Sequence, residues 1–194
     1  KIKKISKKIN VKNLNSSMIE FISWFSKYNL VPLGMVLKMC LLNKDVVERT
    51  FNKEFNVFKF NYCDNKFLLN EEQKKSLDFI RNTGNNFNVT VLEGVTGSGK
   101  TLVYFKRIKD FIDKGYQALI LLPEIALTNQ FSRRFKEFFG AEPAIWHSGI
   151  KKNNKSIIWK GISEGKIKIV IGARSSLFLP FSNLGIIIVD EEHD

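Results

Sequence analysis

The sequence is poor in cysteine: Cys40 and Cys63 are the only two in 194 residues. They do not form a C-x-x-C pair, so this stretch carries neither a zinc signature nor a disulfide framework. A reducing cytoplasm suits such a chain. Long apolar runs are lacking as well. The longest, Leu30 to Leu42, is broken by Pro32, Gly34 and Lys38, well short of the ~18 apolar residues that a membrane-spanning helix needs. The basic start, Lys1 to Lys12, leads into no signal-type core because Glu20 interrupts the next apolar residues, so no membrane partner is expected. Acidic residues are few, 19 against 31 Lys and Arg, for a formal net charge of +12 and a pI near 9.7. That imbalance favours a polyanionic partner, of which nucleic acid is the usual one. The abundance of Lys, Asn, Ile and Phe is also what a biased nucleotide composition would leave, and Arg, the better phosphate fork, is scarce beside Lys. Position 1 is not Met, and Asp194 falls inside a motif, so the chain is expected to be an internal fragment of a longer protein.

What is present begins with Asn88–Thr101, NVTVLEGVTGSGKT. A short apolar run, Val89 to Leu92, predicts a buried strand. Gly94, Gly99, Lys100 and Thr101 then fit G-x-x-x-x-G-K-[ST], so Gly94 through Thr101, including Val95, Thr96, Gly97 and Ser98, are the expected phosphate-binding loop. Glycines there let backbone N–H groups turn inward around a phosphate, and the next helix offers its positive N-terminus. Lys100 would reach the β- and γ-phosphates and the Thr101 hydroxyl would ligate Mg²⁺.

At 44% hydrophobic, the chain suits one ordinary domain plus a small appendage. Residues 1–43 read as a basic and helical segment, 44–69 as a connector and 70–194 as the main domain. Lys1 to Asn15 is a solvated stretch with six lysines and no acid. Ser17 to Glu20 resembles a capping box that opens a helix to Tyr28, with Ile19, Ile22, Trp24, Phe25 and Tyr28 as its apolar face. A second helix, Leu33 to Leu42, is apolar on nearly every side and should be buried. These aromatics read as core rather than as base-stacking groups. Val57, Phe58 and Phe60 suggest a strand. Asn70 is the expected N-cap of a helix to Thr83, with Gln73 placed to close a capping box.

From Val89 onward, strands alternate with helices. The expected helices are 100–113, 125–139 and 153–163, and the expected strands are 118–122, 143–147, 167–171 and 185–189. This pattern predicts an α/β fold, a parallel sheet with helices on both faces, whose ligand sits outside the carboxyl ends of the strands. The last strand ends in Asp190-Glu191-Glu192-His193. Asp190 is placed to hold Mg²⁺ and Glu191 to orient and deprotonate the attacking water, the division of labour that phosphoryl transfer requires. Lys100 and Glu191 are thus the expected catalytic pair. His193 would couple the nucleotide site to a moving element. His147 either contacts a backbone phosphate or caps its loop.

A P-loop with a later D-E-x-H resembles a superfamily 2 helicase. The wording is similar to the PriA family of primosomal replication-restart helicases. The matching pieces are Leu69–Gln73, Gly94–Thr101, Leu121–Thr128 with Gln130, His147–Gly149, Ile171–Phe178 with Pro180 and Phe181, and Asp190–Asp194. Trp24 to Leu42 also resembles the segment between that family's DNA-end-binding domain and its winged helix. The resemblance implies a RecA-like first helicase lobe that uses ATP and Mg²⁺, with Gln73 reading the adenine. It implies a track for single-stranded DNA lined by Pro123, Thr128, Gln130, His147, Ser148, Arg174, Ser175 and Ser176, with Glu124 orienting its loop. It further implies 3′-to-5′ unwinding of stalled or branched forks, with primosome proteins and single-strand-binding protein as partners. On this resemblance the family's end-binding domain is expected to be missing before the first helix, and its winged helix to be absent or reduced to a connector between Leu42 and Leu69. A zinc-binding insertion and the second RecA-like lobe, which would bring the arginine finger, would lie after Asp194. The fragment alone is therefore expected to hydrolyse ATP feebly and not to unwind DNA. The alternatives are a double-strand translocase of the RecG or transcription-repair type, an RNA helicase, and a P-loop module that binds nucleotide or DNA without turnover.

Overall fold

The structure is a computed structural model that describes residues 12–41, 60, 62, 66–83, 86–123 and 129–190. Helices α1 (Ser16–Tyr28) and α2 (Leu33–Leu41) form an N-terminal hairpin. Then come α3 (Glu71–Arg81), α4 (Lys100–Asp113), β1 (Gln117–Leu121), α5 (Asn129–Phe139), β2 (Ala144–Trp146), α6 (Lys152–Ser163) and β3 (Ile169–Gly172). A 3₁₀ turn, η1 (Arg174–Phe178), and β4 (Leu184–Val189) complete the described chain. The four strands make one sheet in the order β2-β3-β1-β4, with every pairing parallel. This is the α/β architecture that the alternation of apolar runs and helical periods predicts.

Two apolar layers cover the sheet. On one side Tyr104, Phe105 and Ile108 of α4 and Phe135, Phe138 and Phe139 of α5 meet Ala118, Ile120, Ile169 and Ile171. On the other, Trp159 and Ile162 of α6 meet Leu119, Val170, Leu179 and Phe181. The strands are near-continuous apolar runs because both faces are covered. Gln117 is the polar exception and is fully buried. Its Nε2 donates to the carbonyls of Ile162 (3.1 Å) and Ile167 (2.8 Å), and its Oε1 accepts from Ser182 N (2.9 Å), Ser182 Oγ (3.0 Å) and Asn183 N (2.9 Å). One side chain thus joins the end of α6, the entry to β3 and the entry to β4.

The hairpin docks against η1. Phe21 and Phe25 lie against Phe178, with ring centroids 5.5 and 5.1 Å apart, and Trp159 Nε1 donates to the Cys40 carbonyl at 2.7 Å. Three expectations need correcting in this region. The cap of α1 is Asn15, whose side chain accepts from Met18 N at 2.8 Å, not Ser17. Within α1 only Met18 and Ile22 are buried, while Ile19, Trp24 and Tyr28 are exposed. In α2 only Val36 and Cys40 are buried, and Leu33, Met35, Leu37 and Met39 are exposed. A two-helix hairpin with one docking surface hides one stripe of each helix and leaves the rest in solvent.

The predicted strand at Val89–Leu92 is also absent. Residues 87–95 pair with none of the described strands, and Val89 and Val91 are exposed. A strand owes its stability to a ladder partner. Here β4 is the outer strand, and its alternate residues Ile187 and Val189 are exposed as well. Of the connector, only Phe60, Tyr62 and residues 66–69 are described, with Phe60 and Tyr62 against Phe139 and Phe67 against Phe138. The strand expected around Val57 and Phe58 and most of the basic start lie outside the described residues.

Candidate nucleotide site and nucleic-acid edge

The sheet register defines one shared carboxyl edge. Trp146 pairs with Gly172, Gly172 with Leu121, and Leu121 with Val189. One row of residues therefore ends all four strands, and the chain leaves each strand along the same line, at His147, Ala173-Arg174, Leu122-Pro123 and Asp190. Carboxyl ends of parallel strands are where such sheets place their ligands. Helix α4 runs back against the sheet to reach Gln117, so its first residues, Lys100 and Thr101, belong to this edge too.

The Gly94–Thr101 loop is tightly turned. Gly97 and Gly99 have φ of +83° and +82°, the left-handed region that favours glycine. A Cβ on Gly99 would run into the Gln73 amide, and one on Gly94 would lie 2.8 Å from Ser98 Oγ. Ser98 N closes a turn on Val95 O at 3.1 Å. The Lys100 ammonium folds over the loop, donating to the Gly94 carbonyl and to that of Val95 at 3.4 Å. Gly99 precedes α4 with no side-chain cap, and within the first turn Leu102 N donates to the Gly99 carbonyl at 3.0 Å.

Gln73 uses both ends of its amide. Its Oε1 accepts from Asn70 N (3.0 Å) and Asn70 Oδ1 accepts from Gln73 N (2.8 Å), the reciprocal capping box of α3. Its Nε2 donates to the Ser98 carbonyl at 2.9 Å and so touches the phosphate loop itself. Helix α3 is held on α4 by a two-pronged pair, Arg81 Nε to Asp110 Oδ2 and Arg81 NH2 to Asp110 Oδ1, both 2.8 Å. Such fork geometry fixes orientation as well as distance.

Asp190 continues β4, with its N–H on the Leu121 carbonyl at 3.1 Å. Its Oδ2 accepts from Tyr104 Oη at 2.7 Å. Nothing in the motif pointed to Tyr104. The signal available was spacing, because position 104 lies three residues past Thr101 and hence on the same face of α4. Glu191 and His193 lie outside the described residues, as do Glu124 and Thr128.

The rest of the edge is polar. Arg174 and Ser175 are exposed at the start of η1. Ser176 is not: it is fully buried and its Oγ donates to the Ala173 carbonyl at 2.5 Å, so the expectation that it lines the surface is corrected. A 3₁₀ turn directs successive residues to different sides, and Ser176 falls on the inner one. His147 Nδ1 accepts from Gly149 N at 3.2 Å, which makes it the cap of its own loop. Ser148 is exposed, with its carbonyl accepting from Lys155 Nζ at 3.0 Å. Pro123 is half-buried and Gln130 exposed at the start of α5.

Residues 70–194, more than half of the chain, match the family described as DEAD/DEAH box helicase. The chain belongs to that family. The replication restart protein PriA of Rickettsia conorii is 45% identical over 100% of this chain and 29% of its own length. The Bacillus subtilis protein of that name is 39% identical over 79% of this chain and 20% of its own, and the Haemophilus influenzae one 44% over 68% and 18%. The chain thus spans under a third of the length of these relatives. Helicases of the DEAD/DEAH family use ATP with Mg²⁺, and the residues present fit both. Gly97, Gly99, the uncapped start of α4 and Lys100 suit phosphates. The Thr101 hydroxyl and the Asp190 carboxylate are the hard oxygen donors that Mg²⁺ prefers. Among the described residues no cluster of three His, Cys, Asp or Glu side chains forms a metal site, and no helix is long and apolar enough to cross a membrane.

Proposed function

We propose that the chain is the ATP-binding lobe of a 3′-to-5′ DNA helicase that acts in replication restart and primosome assembly at stalled or branched forks. The observation that carries this reading is the convergence of the phosphate loop, Gln73 and Asp190 at the same sheet edge as Arg174, Ser175 and the His147 loop. A site for hydrolysis and a row of polar loops for a strand share one row of strand ends, so a shift at one is felt at the other. The relatives named PriA support the replication-restart role.

In this reading Gly94–Thr101 hold the phosphates, with Lys100 leaving its loop carbonyls to neutralise them. Gln73 reads the adenine, Thr101 and Asp190 hold Mg²⁺, Glu191 orients and deprotonates the water, and His193 couples the site to movement. ATP bound with Mg²⁺ supplies the phosphoryl group whose transfer drives the cycle. Pro123, Thr128, Gln130, His147, Ser148, Arg174 and Ser175 line the single-strand track, where phosphate contacts are independent of base sequence. The +12 charge of the chain suits that polyanion. An arginine finger from a second lobe contributes about 10³–10⁵ in rate in related phosphoryl transfer, so the lobe alone hydrolyses ATP feebly. Single-strand-binding protein and other primosome proteins are the proposed partners.

The test is strand separation of a forked duplex by the full-length protein. Lys100→Ala and Glu191→Gln should each abolish it while DNA binding stays measurable. Normal unwinding by either variant would refute the site.

A further inference from the structure

Tyr104 is an odd residue to find in this core. It is 6% exposed among phenylalanines, a setting where Phe would pack equally well and carry no polar tip to satisfy. Its hydroxyl reaches Asp190 Oδ2 at 2.7 Å, across 86 residues of sequence. A phenol on a carboxylate at that distance is a charge-assisted bond, stronger than one between neutral groups. Its place on α4 adds to this. Thr101 and Tyr104 are one helical turn apart on one rigid element, and that element begins with the phosphate loop. The Tyr104 ring is held by an edge contact with Phe105 at 5.3 Å, and Phe105 in turn packs on Phe131, Phe135, Phe138 and Phe139.

We propose that Tyr104 is a positioning residue for the metal: its hydroxyl fixes the Asp190 carboxylate through Oδ2, so that the other oxygen is presented to Mg²⁺ together with the Thr101 hydroxyl. The inference rests on the reading of Asp190 as the Mg²⁺ group and adds a residue that no motif assigns. The physical need is specific. Mg²⁺ demands near-ideal octahedral geometry, so a carboxylate free to rotate at the end of β4 is a poor donor. A hydroxyl carried by α4 ties that carboxylate to the helix bearing the other donor. The acidic motif and the phosphate loop then move as one body. Partners that orient a ligating carboxylate typically contribute 10–100-fold in metal affinity.

The experiment uses the full-length protein and a fluorescent nucleotide, MANT-ADP, titrated in EDTA and at increasing Mg²⁺, with Mn²⁺ affinity read independently by electron paramagnetic resonance. Tyr104→Phe keeps the ring and its packing and removes only the oxygen. It should raise the Mg²⁺ concentration needed for half-maximal tightening, and the Mn²⁺ dissociation constant, about 10- to 100-fold. Nucleotide affinity in EDTA should stay within about twofold. Asp190→Asn, measured alongside, should remove the Mg²⁺ effect altogether. If Asp190→Asn does so and Tyr104→Phe does not, Tyr104 is only packing and the inference falls while the Asp190 reading stands. If Asp190→Asn leaves the Mg²⁺ dependence intact, both fall. An equal loss of affinity in EDTA and Mg²⁺ for Tyr104→Phe would mark a structural role and also overturns the inference.

Discussion

Cys40 illustrates how far burial changes a residue. It lies in the hairpin core with Val36, Ile22 and Phe178 and is fully enclosed. Desolvation by that burial pushes its thiol up to about 11 from an ordinary 9.0. The nucleophile is the thiolate, so at pH 8 roughly one thiol in a thousand is reactive, on the definition of a pKa. In a Cys63→Ser background, a disulfide reagent at pH 8 should leave Cys40 unmodified until denaturant is added; labelling of the native protein within minutes would contradict the burial. The linkage to stability has a definite sign. The folded value lies above the unfolded one, so this thiol's contribution is fully present below about pH 9 and is lost as pH rises through about 11. Gln73 shows the complementary case, a polar group whose two ends are both used, one for the cap of α3 and one for the Ser98 carbonyl. The third residue of α3, which closes its capping box, thus also touches the Gly94–Thr101 loop.

Among the elements, β1 is the one on which the others depend. It is the central strand, paired to β3 on one side and β4 on the other, and Gln117 at its start gathers five hydrogen bonds. Gln117→Leu preserves volume but strands the Ile167 carbonyl and the N–H and hydroxyl groups at 182–183, while the Ile162 carbonyl keeps its bond from Gly165 N at 3.0 Å. An orphaned buried group costs about 1–3 kcal/mol, so the variant should lose about 3 kcal/mol in chemical denaturation. A loss below about 1 kcal/mol would mean that water replaces the side chain. Local pattern gave no hint of this role, because a single Gln before an apolar run reads as the residue outside the strand. The Val89–Leu92 run is the converse. Its composition is that of a buried strand, yet pairing is a non-local property, and no described strand takes it up. Helices α3 and α4, whose start signals are local, stand where Asn70-x-x-Gln73 and Gly99-Lys100 predict them.

At the scale of the whole molecule, the parallel α/β order from β1 to β4 was legible from period and punctuation alone. Motif spacing alone singled out Gly94–Thr101 and Asp190 as candidates. What remained hidden depends on which faces meet: Ser176 turns inward, Trp24 and Tyr28 stay in solvent, and Tyr104 finds Asp190. Ser176 follows from its local 3₁₀ turn, whereas the others are set by packing between segments far apart in sequence, which no window along the chain can contain. In the proposed function, hydrolysis at Gly94–Thr101 answers to a DNA strand on the loops that share the same row of strand ends. The most direct measurement is ATP turnover by the full-length protein with and without single-stranded DNA, beside Lys100→Ala. Turnover that rises severalfold with DNA and disappears in the variant is the predicted result. Turnover indifferent to DNA, or retained in Lys100→Ala, would contradict it.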